Sequence, residues 1–279
     1  MIEHIMKLYD LAGDAAATQR VQTAHRLALI EAWQLPAGAR VLEVGCGQGD
    51  MSVALATTVG PTGYVLGVDI APPTYGGPET LGQAWERILA TELAPRMAVR
   101  FDCDLVRDAA LVGQQGPFDY VVLAHCLWYF ADAEQLTALL ATARTLGRHL
   151  LLAEWSPLVT LPTQLPHWQA ATLQAICEAF RPAGQSGEGN IRTLLYPADI
   201  QRVAAAAGWQ VARTGHVHSP DLQDGQWEVW AALDYFPVEI HKSTAMPPKL
   251  KELLLAQLAA LESVTDAGPL PVFWAACDS

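Results

Sequence analysis

The run Val41-Leu-Glu43-Val-Gly45-Cys46-Gly47-Gln-Gly49-Asp50 joins a short apolar stretch to three glycines at alternate positions. The residues before it predict a strand, and 51–58 after it read as a helix. Glycine has no Cβ, so this backbone can turn sharply and approach a ligand closely. A ligand held there lies beyond the carboxyl ends of the strands. About 20 residues on, Val65-Leu-Gly-Val-Asp69 ends a second apolar run in an acid placed to accept hydrogen bonds from both hydroxyls of a ribose. Phe101-Asp102-Cys103-Asp104 ends a third run, where a carboxylate can accept a bond from an exocyclic amine such as that of adenine. Each piece alone also reads as a tight turn or a helix cap. Their order and spacing together predict a nucleoside-type cofactor.

The elements that must position these residues alternate. Strands are predicted at 40–44, 64–68, 98–102, 120–124 and 149–153, with helices at 51–58, 81–93 and 134–146 between them. The strands are apolar on both faces, as in a parallel sheet covered by helices on each side. The alternation predicts a doubly wound α/β fold. Two helices are expected in an N-terminal segment, 1–35. The second has an apolar stripe of Ala24, Leu27, Ala28 and Ala32 that leaves Gln22, His25 and Arg26 on its other faces. The main domain is expected over 36–279, with a cap inserted at about 156–196 that includes the glycine-rich 184–189. Beyond it come a helix at 197–207, a strand at 209–217, a segment at 227–236 that reads equally as helix or strand, a helix at 248–263 and a last strand at 271–276.

Composition narrows the classes. Of 279 residues, 51% are hydrophobic and 16% charged, which describes a folded globular chain. Its longest apolar stretch, 120–131, is interrupted by His125 and is too short to span a membrane. Glu3, His4, Lys7 and Asp10 leave the first ten residues without an apolar core, so a cytoplasmic protein with no secretory leader is expected. With 29 acids against 17 bases, the net charge of −12 disfavours nucleic acid as a partner. Cys46, Cys103, Cys126, Cys177 and Cys277 are scattered and odd in number, which predicts free thiols rather than disulfides. His216 and His218 share a strand face, but no third ligand accompanies them and no metal site is expected.

From 40 to 154 the chain resembles the class I S-adenosylmethionine-dependent methyltransferases, and more weakly to its end. Glu43-Val-Gly-Cys-Gly-Gln-Gly49 looks like the family's first motif, and Val68-Asp69, Cys103-Asp104 and Phe118-Asp119-Tyr-Val-Val-Leu-Ala124 like those that follow. The resemblance implies a seven-stranded sheet with an antiparallel last strand, and S-adenosylmethionine as methyl donor to a small molecule. It implies that Gly45, Gly47 and Gly49, with Cys46 among them, lie under the methionine and ribose. Glu43 would arrange the loop and the amino-acid end of the cofactor. Asp69 would hold the ribose hydroxyls, and Ile70 would lie against adenine. Asp104 would take the adenine amine, beside Cys103 and Leu105, with Asp102 as its competitor. Backbone at Ala124 and His125 would flank the methionine.

Two alternatives stay open. A nicotinamide-dependent oxidoreductase also uses a glycine loop and an acid, but it spaces its glycines G-x-G-x-x-G. Asp50 directly after the present loop would repel a pyrophosphate and tolerate the sulfonium and ammonium groups of the methyl donor. A protein of the same fold that binds the cofactor without methylating anything is the second. Methyl transfer is an in-line displacement in which the protein aligns the groups, with a base where the acceptor loses a proton. His125, at the end of the fourth strand, is the candidate base. Trp128, Tyr129, Glu154, Trp168 and Arg192 are the candidate acceptor contacts.

Overall fold

The computed structural model describes residues 1–9, 11–182, 189 and 191–279. Seven strands form one sheet: β1 (Arg40–Val44), β2 (Tyr64–Val68), β3 (Met97–Arg100), β4 (Phe118–Ala124), β5 (Gly147–Trp155), β6 (Gln210–Val217) and β7 (Val272–Asp278). Helices α1 (Ile2–Tyr9) and α2 (Gly13–Trp33) precede β1. α3 (Asp50–Val59), α4 (Leu81–Leu89), α5 (Leu105–Gly113) and α6 (Ala133–Ala143) connect the first five strands. α7 (Leu165–Ala179) and α8 (Pro197–Ala206) lie between β5 and β6, and α9 (Asp224–Lys242) and α10 (Pro248–Leu261) between β6 and β7.

The strand order is β3-β2-β1-β4-β5-β7-β6. β7 runs antiparallel to both β5 and β6, as expected for the last strand. β1 pairs with β2 on one side and β4 on the other, so the sheet order reverses between them. That reversal opens a crevice at the carboxyl ends of β1 and β4, where ligands bind in sheets of this kind. Val41, Leu42, Val65, Leu66, Val121, Val122 and Leu123 are buried along these strands because helices cover both faces.

Three expectations change. The third strand ends at Arg100 rather than 102. Asp102 turns the chain with φ 52°, and Asp104 caps α5 by accepting from the Val106 and Arg107 N–H groups. α5 itself was not foreseen, because only Leu105 and Val112 on it are fully buried and so short a helix carries little periodicity. The segment at 227–236 belongs to α9. The spacing of its buried Val229, Ala232, Phe236 and Ile240 is helical, whereas Trp227 and Trp230 are exposed.

The helical layer beyond the sheet is larger than an insertion at 156–196. A second apolar cluster joins Ala170, Leu173 and Cys177 of α7 to α9 and to Leu254, Leu258 and Leu261 of α10. α7 buries its stripe against partners more than 50 residues away in sequence, which no local pattern reveals. Of the glycine-rich stretch named as part of that insertion, all but Gly189 lies outside the described residues. The five cysteines are free and buried. Among the described residues, no helix is long and apolar enough to cross a membrane.

Candidate active site

Backbone bonds stitch the three motif loops together at one edge of the sheet. Gly45 N–H and Cys46 N–H both donate to Val68 O, and Cys103 N–H donates to Asp69 O at 3.0 Å. Asp69 is the hub: its carboxylate accepts from Gly47 N–H at 2.8 Å and Ala71 N–H at 2.9 Å. A carboxylate has about four lone-pair positions, so two stay free for hydroxyl donors. Ile70 is 68% exposed beside it, an uncovered apolar face on a loop where a flat ring can lie.

The glycines do different work. A Cβ on Gly47, whose φ is +50°, would meet nothing within 4 Å, so its backbone is bare on the open side. A Cβ on Gly45 would lie 3.0 Å from the Cys126 Cβ, and one on Gly49 2.7 Å from the Ile88 side chain and 3.0 Å from Trp85. Gly45 and Gly49 therefore keep room for side chains packed under the loop. Trp85 supports the loop from beneath through a bond from Nε1 to Gly47 O. The Cys46 side chain is buried against Gly67, leaving only its backbone toward any ligand. An open backbone above a free carboxylate edge fits a ribose and its thioether.

Glu43 lies behind the loop, 3% exposed, and accepts a bond from the Ser52 hydroxyl. Burial raises its carboxyl to about 8, against the lowering effect of the Ser52 hydrogen bond. Asp104 spends one oxygen on capping α5, whereas Asp102 is exposed at the same edge. Cys103 and Leu105 are buried beside them.

At the β4 end, Ala124 is half-buried and His125 has φ 55°, its N–H donating to Ala153 O of β5. The His125 Nε2 lies 2.9 Å from His25 Nε2 on α2, and His25 Nδ1 lies 2.8 Å from Ser219 Oγ. His125 Nδ1 has no hydrogen-bond partner and faces Glu154 Oε1 at 3.7 Å. A quarter of the His125 side chain is open. Trp155 packs against His125 on one side and His167 on the other.

The acceptor contacts divide. Tyr129 is 48% exposed, and its ionisation is pushed up by burial of the hydroxyl end and by Glu154, Glu228 and Asp224 nearby. Glu154 does not face open space. It is 1% exposed and accepts from the N–H groups of Leu127, Trp128 and Trp155. Three unpaired backbone donors meet there, so the carboxylate is drawn inward. Trp128 is likewise in the core, its indole N–H donating to Leu195 O. Trp168 is partly buried against the main core, and Arg192 is exposed on the segment whose backbone bonds Trp128 O.

Sequence reasoning missed what α2 supplies. His25 is 3% exposed, and the stripe through Ala24 was misplaced, since Ala24 is exposed. Histidine can bury here because both ring nitrogens find partners. Gln19, Gln22 and Arg26 recur at helical spacing on the site's side. Gln19 donates to Asp50, Gln22 to Asp224, and Arg26 lies 3.7 Å from Asp50. A polar stripe on an alanine-rich helix was the available signal. Asp50, whose charge was expected to repel a pyrophosphate and tolerate cationic groups, accepts from Tyr9 and Gln19 and ties down the N-terminal helices.

Comparison with known proteins agrees with this geometry. The family described as "Methyltransferase domain" matches residues 16–214. Among solved structures, a cyclopropane-fatty-acyl-phospholipid synthase-like protein from Lactobacillus casei is 36% identical, with a TM-score of 0.87 over 100% of this chain and 98% of that one. Methyltransferase phomM of Diaporthe leptostromiformis is 28% identical over 86% of this chain and 73% of its own length. The mycolic acid cyclopropane synthase CmaA1, solved with S-adenosylhomocysteine bound, shares the fold at 16% identity and a TM-score of 0.52, covering 99% of this chain and 94% of that one. The chain belongs to the methyltransferase-domain family, as a class I S-adenosylmethionine-dependent methyltransferase.

Proposed function

We propose that the methyl donor lies along Gly45, Gly47, Asp69 and Ile70, with its adenine amine at the Asp102–Asp104 turn and its methionine end toward Ala124 and His125. When bound, it supplies an electrophilic methyl on a sulfonium. The observation that carries this reading is the bare Gly47 backbone above a carboxylate with two uncommitted positions. The Asp69 carboxylate at the loop favours a ligand with cationic groups over a pyrophosphate.

The acceptor lies against Tyr129, an aromatic side chain 48% exposed just beyond the β4 end. A net charge of −12 speaks for a small acceptor over a polynucleotide. Where the acceptor releases a proton, His125 takes it at Nε2 as that nitrogen parts from His25, since Nδ1 is buried. The imidazolium so formed has Glu154 at 3.7 Å to stabilise it.

Calorimetry with S-adenosylhomocysteine, NAD and NADP tests the reading. Micromolar binding of the first alone, weakened at least about 100-fold in Asp69→Ala, is expected on the loss of two charge-assisted hydrogen bonds. Tight NAD binding would overturn it.

A further inference from the structure

We propose that Glu154, His25 and Ser219 are positioning residues that together fix which ring nitrogen of His125 is bare, and that this nitrogen is Nε2. The assignment deepens the reading of His125 as the base and rests on it. Four groups lie in a row. Glu154 Oε1 is 3.7 Å from His125 Nδ1, His125 Nε2 is 2.9 Å from His25 Nε2, and His25 Nδ1 is 2.8 Å from Ser219 Oγ. They come from β5, the end of β4, α2 and the turn after β6.

A neutral imidazole holds one proton on two nitrogens, so the bond at one nitrogen sets the state of the other. The contact between the two Nε2 atoms has room for a single proton. If His125 supplied it, the bare His125 Nδ1 would turn its lone pair on the Glu154 carboxylate, and the two would repel. If His25 supplies it, His125 carries N–H at Nδ1 facing that carboxylate, and attraction replaces repulsion. The acid therefore selects the second direction. It leaves His25 Nδ1 bare, and Ser219 satisfies that nitrogen because a hydroxyl can donate as well as accept.

Each part is held in place. His25 is buried, and its ring lies parallel to the Trp155 indole, 5° between planes with centroids 6.2 Å apart. Burial lowers its basicity, so it has one ring proton to place. Ser219 opens a turn in which the Leu222 N–H donates to Ser219 O at 3.1 Å, with Pro220 presetting the bend and Leu222 buried as its anchor. At the far end of α2, Arg213 of β6 donates to Trp33 O at 2.8 Å, so helix and strand keep a fixed register. Ser219 also lines a cleft of about 300 Å³ with Arg20, His218 and Asp221, which leaves room for a larger side chain at 219.

Nitrogen-15 NMR of the full chain carrying labelled histidine tests this at neutral pH. Bare and protonated ring nitrogens resonate far apart, so the tautomers are read directly, in the wild type and without any acceptor. The signals are assigned by their loss in His125→Ala and His25→Phe. The expected result is His125 protonated at Nδ1 and bare at Nε2, with His25 the reverse. Ser219→Asp places a carboxylate that can only accept, and should move the His25 Nδ1 signal from the bare to the protonated position. Ser219→Thr keeps the hydroxyl and should leave both rings as in the wild type. A wild-type His125 protonated at Nε2, or a His25 Nδ1 that stays bare in folded Ser219→Asp, would overturn the proposal. Undiminished kcat in His125→Ala would instead remove the base role while leaving the tautomers as measured.

Discussion

The imidazoles of His25 and His125 meet through their Nε2 atoms at 2.9 Å, so the two rings share one proton. Burial, then the neighbouring His125 and Arg26, lowers His25 to about 2, so it stays neutral. Glu154 Oε1 lies 3.7 Å from the other ring nitrogen of His125. His125→Ala should lower kcat by about 10²-fold or more while leaving S-adenosylhomocysteine affinity nearly unchanged. His25→Phe keeps a ring but removes the shared bond, and should both lower kcat and move the acidic limb of its pH profile. If both variants fold and turn over within twofold of wild type, the pair is only a structural tie between α2 and the sheet.

Stability should peak near pH 6.5. His25 and His167 fall to about 2 and about 3 in the fold, mainly through burial. Below 6.5 the unfolded chain therefore binds more protons, and each histidine costs up to about 1.4 kcal/mol per pH unit of acidification. Glu43, raised to about 8 by burial, works the other way. Between its ordinary 4.5 and about 8 the fold holds a proton that the unfolded chain has lost, so stability falls as pH rises. Three lowered histidines, His216 among them, outweigh two raised carboxyls, Glu43 and Glu228, below 6.5, and the carboxyls act unopposed by them above it. Urea midpoints from pH 5 to 8.5 would show the maximum; a steady climb to pH 8 would contradict it.

The loop glycines should separate by phenotype. Gly47→Ala adds a methyl at φ +50° in open space, costing about 1 kcal/mol of strain. The methyl projects where the ligand backs onto the loop, so S-adenosylhomocysteine affinity should drop more than about tenfold. Gly49→Ala drives a Cβ into Ile88 and Trp85 and should destabilise by at least about 2 kcal/mol. Thermal melts beside calorimetry distinguish the two. Equal loss of stability would show that both glycines serve packing alone.

Glu154→Gln should destabilise by about 1–3 kcal/mol. The amide keeps the shape but replaces one acceptor oxygen with a donor among three converging N–H groups. Those groups set the turn that presents Tyr129, so the KM for the acceptor should rise as stability falls. Chemical unfolding with steady-state kinetics reads both, and an unchanged unfolding midpoint would refute the assignment.

The sheet was readable from residue order because its strands are buried on both faces and so appear as apolar runs. The motifs at Gly45, Asp69 and Cys103 were readable because their spacing is local: each lies at a strand end, and strand ends converge in a doubly wound sheet. The position of Asp104 was only half readable, since a carboxylate that caps a helix and one that meets a ligand look alike in sequence.

What the residues alone determined was the fold class, the family's cofactor and the loops at the carboxyl ends of the strands that are proposed to hold it. Tertiary structure decided the rest. It placed α2 against α3, β6 and β7, which brought His25 to His125 and Trp155, and it turned Glu154 and Trp128 inward. It also assembled a helical layer from α7, α9 and α10. These outcomes depend on contacts between segments dozens to hundreds of residues apart. Such contacts are selected by complementary burial and by satisfying buried polar groups, and neither leaves a periodic trace in any one segment.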